Sequence, residues 1–167
     1  MCIQWKCCEM ESIYGRSLRE GVILVGKASV VISAVILLAS VVCLTTIYIS
    51  DVQINIYPVM AVNLILGLVA SGFSVYSIII SLLLLWRVKQ STKGNIFICS
   101  MWYVSQMSML ALYLLLFVAK LTVCIARKHY FTAAFTVIIG ILYEGVMNYF
   151  AIVVNSYLHS LHQERYL

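Results

Sequence analysis

The stretch Val30–Val42, VVISAVILLASVV, presents no polar face at any angle around a helix. A helix of a water-soluble bundle shows polar residues recurring every 3.6 positions. Here only Ser and Ala interrupt the apolar residues, and Ile78–Trp86 (IIISLLLLW) repeats the pattern. Val30–Val42 lies inside a longer apolar run, Gly21–Ile49, and three more runs follow at Pro58–Trp86, Asn95–Ala119 and Tyr130–Leu158. Each exceeds the roughly 20 residues that an α-helix needs to cross a ~30 Å hydrocarbon core. The intervals 50–57, 87–94 and 120–129 leave no room for a soluble domain. The chain therefore reads as an all-α membrane protein: an antiparallel bundle of four transmembrane helices with short loops. A single membrane domain at 21–158 sits between cytosolic tails at 1–20 and 159–167.

Composition agrees. Hydrophobic residues make up 63% of the 167 and charged residues 10%, with a mean hydropathy of +1.03, whereas a soluble domain has about 45–50% apolar and about 25% charged residues. A cleavable signal peptide has a basic start and an apolar core of roughly 7–15 residues. The first run here is longer and follows a charged, Cys-bearing segment, so it reads as a permanent span. Glu9, Glu11 and Glu20 interrupt the basic residues that a transit peptide would need.

Lys and Arg near span ends set orientation. Of the 11 basic residues, Lys6, Arg16, Arg19, Lys27, Arg87, Lys89, Lys93 and Arg165 fall on the side of the two tails and the second loop. Lys120, Arg127 and Lys128 fall on the other, where the first loop has Asp51 and no basic residue. The balance places both termini in the cytosol, with Lys120 snorkelling from the end of a tilted third span. The net charge of +5 suits the anionic lipid of the cytosolic leaflet and implies no nucleic-acid partner.

The six cysteines do not form a disulfide framework. Cys43 and Cys99 lie inside spans, Cys124 alone reaches the outer side, and Cys2, Cys7 and Cys8 face a compartment that keeps thiols reduced. Cys7-Cys8 lacks the C-x-x-C spacing of a zinc site. Beside a membrane-entering helix, Cys7 and Cys8 are candidate S-palmitoylation sites, with plain reduced thiols as the other reading. No paired carboxylates, Cys-His pair, Ser-His-Asp set or phosphate-binding glycine loop is present, so the chain reads as non-enzymatic and without a cofactor.

Polar groups inside a bilayer are costly and mark function or packing. Glu144 lies near the middle of the fourth run, on a helical face with Gly140, Asn148 and Asn155. Counted from the run ends, Gln106 in the third run has similar depth, and Ser71 and Ser74 lie mid-way along the second. These residues form a candidate buried polar layer of Glu144, Gln106, Asn148, Ser71 and Ser74. It reads as interhelical hydrogen-bonded glue, as a transport site centred on Glu144, or as a docking face for another helix. Ser29-x3-Ser33, Gly67-x3-Ser71 and Ser77-x3-Ser81 are small-residue pairs that let helix backbones approach.

Two stretches carry a family resemblance. Cys7-Cys8, then Ser17-Leu18-Arg19-Glu20-Gly21 and Gly26, resemble the opening of the lysosome-associated four-span proteins and their insect relatives. Tyr149–Tyr157, YFAIVVNSY, is similar to the ending of the insect branch, which includes the pasiflora-type proteins of septate junctions. The lysosomal members carry Pro-Pro-x-Tyr motifs in a long tail and larger luminal loops, which this chain lacks. The resemblance implies a multi-pass scaffold or junction component of the lateral plasma membrane, packing against lipid and other membrane proteins; the small-residue pairs add its own copies as a candidate partner. An endolysosomal trafficking adaptor is the alternative, followed by a small transporter. Claudins and tetraspanins differ in their large outer loops.

The topology is checked by protease protection in intact cells. A tag at either terminus is expected to survive external protease until the membrane is permeabilised, and its digestion beforehand would reverse the orientation.

Overall fold

Ser17 begins the first helix of the computed structural model, which describes residues 17–49, 58–90 and 95–166. Its Oγ accepts a hydrogen bond from the Glu20 backbone N–H at 3.4 Å, and its carbonyl accepts one from the Gly21 N–H at 3.1 Å. Ser-x-x-Glu at 17–20 is the spacing of a capping box. Four helices follow: α1 (Leu18–Ile49), α2 (Pro58–Gln90), α3 (Asn95–Ala126) and α4 (Tyr130–Tyr166). All four are long and apolar enough to cross a membrane, and no strand occurs among the described residues. The chain is an integral membrane protein built as an all-α four-helix bundle.

Connected neighbours pack side by side. α1 lies along α2, α2 along α3 and α3 along α4, and α4 closes back on α1. The four-way core is at the end of the bundle where α1 begins. Val22 and Val25 of α1, Ile80, Leu84 and Val88 of α2, Cys99 and Trp102 of α3, and Val153, Val154, Tyr157 and Leu161 of α4 form one buried cluster there. Arg19 fastens the same end. Its Nε and Nη2 donate to the Val88 carbonyl at 3.1 and 2.9 Å, and Nη2 also reaches the Lys89 carbonyl at 3.2 Å. The last carbonyls of a helix lack intrahelical partners and carry partial negative charge, so a guanidinium satisfies both needs.

α1 and α2 approach closely. A Cβ on Gly26 would come within 2.8 Å of Leu85 Cδ2, and one on Gly67 within 3.1 Å of Leu44 Cδ2. Each leucine occupies the notch that a glycine leaves, which sets the α1–α2 register at two heights.

The helices outrun the apolar runs. α2 continues to Gln90, α4 to Tyr166, and α3 to Ala126 rather than stopping at Ala119. Lys120 does not end α3: a lysine is tolerated within an apolar helix because its long stem can cover apolar surface with the ammonium outward, and Leu121–Ala126 is again mostly apolar. Cys124, expected in the outer connector, therefore lies within α3 and is buried. At 32 to 37 residues, the helices measure about 48–55 Å at ~1.5 Å per residue, so they tilt in a ~30 Å core or project beyond it.

The α3–α4 connector shrinks to 127–129. The His129 N–H bonds to the Cys124 carbonyl at 2.9 Å and the Lys128 N–H to the Ile125 carbonyl at 3.0 Å, with Lys128 at φ 61°. This is the paired 6→1 and 5→2 pattern of a Schellman cap. The His129 carbonyl then accepts from the Ala133 N–H at 3.0 Å and opens α4. A left-handed conformation strains any residue with a Cβ. Lys128→Gly is expected to stabilise the corner by up to about 1 kcal/mol, and Lys128→Val to destabilise it. Thermal unfolding in detergent micelles reads both, and an unchanged midpoint for the pair would contradict this geometry.

Candidate functional site

Buried polar side chains meet across three helices in two rungs. In the first, Ser81 donates to Ser29 Oγ at 3.0 Å and accepts from Trp102 Nε1 at 3.1 Å. In the second, Ser77 Oγ accepts from Ser33 Oγ at 2.9 Å and from Gln106 Nε2 at 3.1 Å. All six residues are buried, with Ser29, Ser81 and Trp102 at 0% exposure. The ladder exists because serines four apart on α1 and α2, and Trp102 and Gln106 four apart on α3, each project from one helical face. A third contact at the edge joins the Tyr76 hydroxyl to Ser105 Oγ at 3.0 Å.

The expected polar layer is therefore only partly assembled, and from other serines. Gln106 pairs with Ser77, and neither Ser71 nor Ser74 takes part. The Ser71 hydroxyl turns back to the Leu68 carbonyl at 2.8 Å. Ser74 is buried, and its Oγ reaches no partner at hydrogen-bond geometry. Asn148 is exposed and donates from Nδ2 to the Glu144 carbonyl of its own helix at 2.8 Å. Glu144 is half-buried, with Oε1 closed off and unpaired among the described residues. Cys7 and Cys8 lie outside the described residues.

Register explains why Glu144 and Gln106 do not meet. Tyr113 of α3 packs edge-on to Tyr143 of α4, with ring centroids 5.5 Å apart. Gln106 is two turns further along α3, about 10 Å from that level at ~1.5 Å per residue. At the height of Glu144 the bundle holds aromatic rings instead. Tyr113 also meets Phe73 of α2 edge-on at 5.5 Å, and lies tilted against Phe117 at 6.4 Å. Such edge-to-face pairs contribute about 0.5–1.5 kcal/mol each beyond their buried area. Ser74 and Glu144, one on α2 and the other on α4, flank this aromatic layer.

Sequence reasoning did not single out Trp102 or the aromatic layer. An indole in an apolar run carries one N–H that requires a partner once buried, and that was the available signal. The small-residue spacing at Ser29, Ser33, Ser77 and Ser81 pointed to close helix approach, and the structure adds hydrogen bonds between those same positions.

No protein-family model matches the chain, and no curated protein or solved structure shows significant similarity to it.

The ladder and the Glu144 carboxyl are separable by mutation. Ser77→Ala leaves Ser33 and Gln106 without their shared partner, and at roughly 0.6–1.7 kcal/mol per interhelical hydrogen bond it is expected to lower stability clearly. Ser108→Ala, whose hydroxyl bonds only its own helix, is expected to change little. Glu144→Leu removes an unpaired oxygen and leaves Gln106 bonded, so it is expected to fold at least as well as the native chain. Abundance and unfolding temperature of the three variants check this; a Glu144→Leu loss equal to that of Ser77→Ala would show that the carboxyl belongs to the ladder's network.

Proposed function

We propose that this chain is a non-enzymatic membrane scaffold that acts by lateral helix packing with other membrane proteins, as a component of septate-junction-like contacts in the lateral plasma membrane. The observation that carries the reading is on α4. Asn148 and Asn155 are exposed on a helix that crosses the membrane, and neighbouring Glu144 keeps an unpaired oxygen. Lipid tails satisfy no amide, so such a group is stabilised when another helix supplies its partner. The α1–α2–α3 ladder supports the reading from the other side, since it ties three helices into a frame that can hold the α4 face at a constant angle.

The resemblance at Cys7–Gly26 and Tyr149–Tyr157 supplies the junctional part of the proposal. An endolysosomal adaptor is the competing assignment for the same architecture. A tagged full-length chain, expressed at native level in an epithelium, is expected at lateral membranes alongside junction markers. A purely late-endosomal signal would overturn the junctional assignment in favour of the adaptor.

A further inference from the structure

Along α4, Ile141, Gly145, Asn148, Ile152 and Asn155 alternate at spacings of four and three residues. That alternation keeps a single stripe facing one partner helix over successive turns, as in a coiled-coil seam. Ile152 is half-buried and the other four are exposed. The neighbours within the bundle take a different face, where Gly140, Met147, Ala151 and Val154 are buried. Apart from Ile152, the stripe is a packing surface that α1, α2 and α3 leave exposed.

Two features of the stripe bear on what covers it. Asn148 spends one amide N–H on the Glu144 carbonyl, which leaves its Oδ1 and second N–H unpaired among the described residues. Asn155 lies one heptad further along. Gly145 provides room for a backbone: a Cβ placed on it would meet nothing within 4 Å.

We infer that the chain pairs with a second copy of itself through this α4 stripe, with Asn148 and Asn155 hydrogen-bonded to their own counterparts. The inference rests on the lateral-packing reading above and specifies its partner. Two copies inserted the same way in one membrane are related by an axis along the membrane normal, so each residue meets its twin at equal depth. An asparagine amide both donates and accepts, which makes it complementary to itself in that arrangement. A run of lysine or glutamate on the stripe would repel its twin. Glu144 stands beside the stripe rather than on it.

The test counts copies of the full-length, fluorescently tagged chain in native membrane discs by stepwise photobleaching. The native chain is expected to give two steps per particle. Gly145→Leu fills space that is empty within one chain, so it is expected to keep abundance and unfolding temperature while weakening pairing. Asn148→Leu is expected to weaken pairing about tenfold, and Asn148→Gln, which retains donor and acceptor, to preserve it. Single steps at every surface density, or pairing indifferent to both Gly145→Leu and Asn148→Leu, would overturn the inference. Single copies that instead retain another membrane protein through Asn148 would also overturn it, while the lateral-packing reading would stand. Localisation in an epithelium is scored separately, so paired copies found only on endosomes would uphold self-association and remove the junctional assignment.

Discussion

Hydrocarbon supplies no hydrogen-bond partner, so a hydroxyl, indole or amide inside the bundle must find one within the protein, on its own helix or on another. Ser77 and Ser81 are where α1, α2 and α3 meet that requirement together. Each serine oxygen of α2 bonds a group from α1 and one from α3, so a neighbour that leaves gives up the partner of its own buried polar groups. The serines are also small, which lets the α1 and α2 backbones come close enough for the bonds to form. The glycine notches at Gly26 and Gly67 then select among registers. A slip of one turn would still align one serine of each helix, but it would bring Val22 or Val30 against Leu85, where only a glycine leaves space. Polar matching and steric fit thus select a single alignment.

Much of the architecture was legible in the residues. All-round apolarity along Val30–Val42 and Ile78–Trp86 marked the solvent, and the short intervals dictated which helices lie together. The pairing within the core was harder to read, because it depends on relative height. Depth counted from the ends of apolar runs put Glu144 level with Gln106. The helices, however, end where backbone caps end them, at Ala126 for α3 and Tyr166 for α4, and those positions bear no fixed relation to where apolarity fades. The Ser17 cap has its signature in the sequence. The corner at Lys128 has none, since glycine is the usual residue at such a position and a lysine there looks like any surface charge.

Exposure carries different information on different side chains of this protein. Leu38 and Leu115, each at 67%, face what would be lipid, and their outward direction is what a spanning helix requires. An outward amide at similar depth is the informative case, because lipid stabilises the first kind of side chain and not the second. α4 combines both kinds, and it makes its closest contacts with α3 while touching α1 mainly at one end. Beyond those contacts it keeps surface for other company.

The three-residue corner between α3 and α4 bears on how the chain enters a membrane during synthesis. So short a connector gives the insertion machinery no slack to seat α3, pause, and later seat α4; the two must enter as one hairpin. With the termini in the cytosol, as the distribution of basic residues leads one to expect, that hairpin would carry Arg127 and Lys128 across with it. Moving each cation through the centre of the bilayer costs roughly 2.5–3.5 kcal/mol, against roughly 0.3–0.6 kcal/mol gained for each Leu, Ile, Phe or Val inserted. In that orientation the dense aliphatic content of Leu110–Val118 and Val137–Leu142 would offset the cost of translocation as well as stabilise the folded bundle.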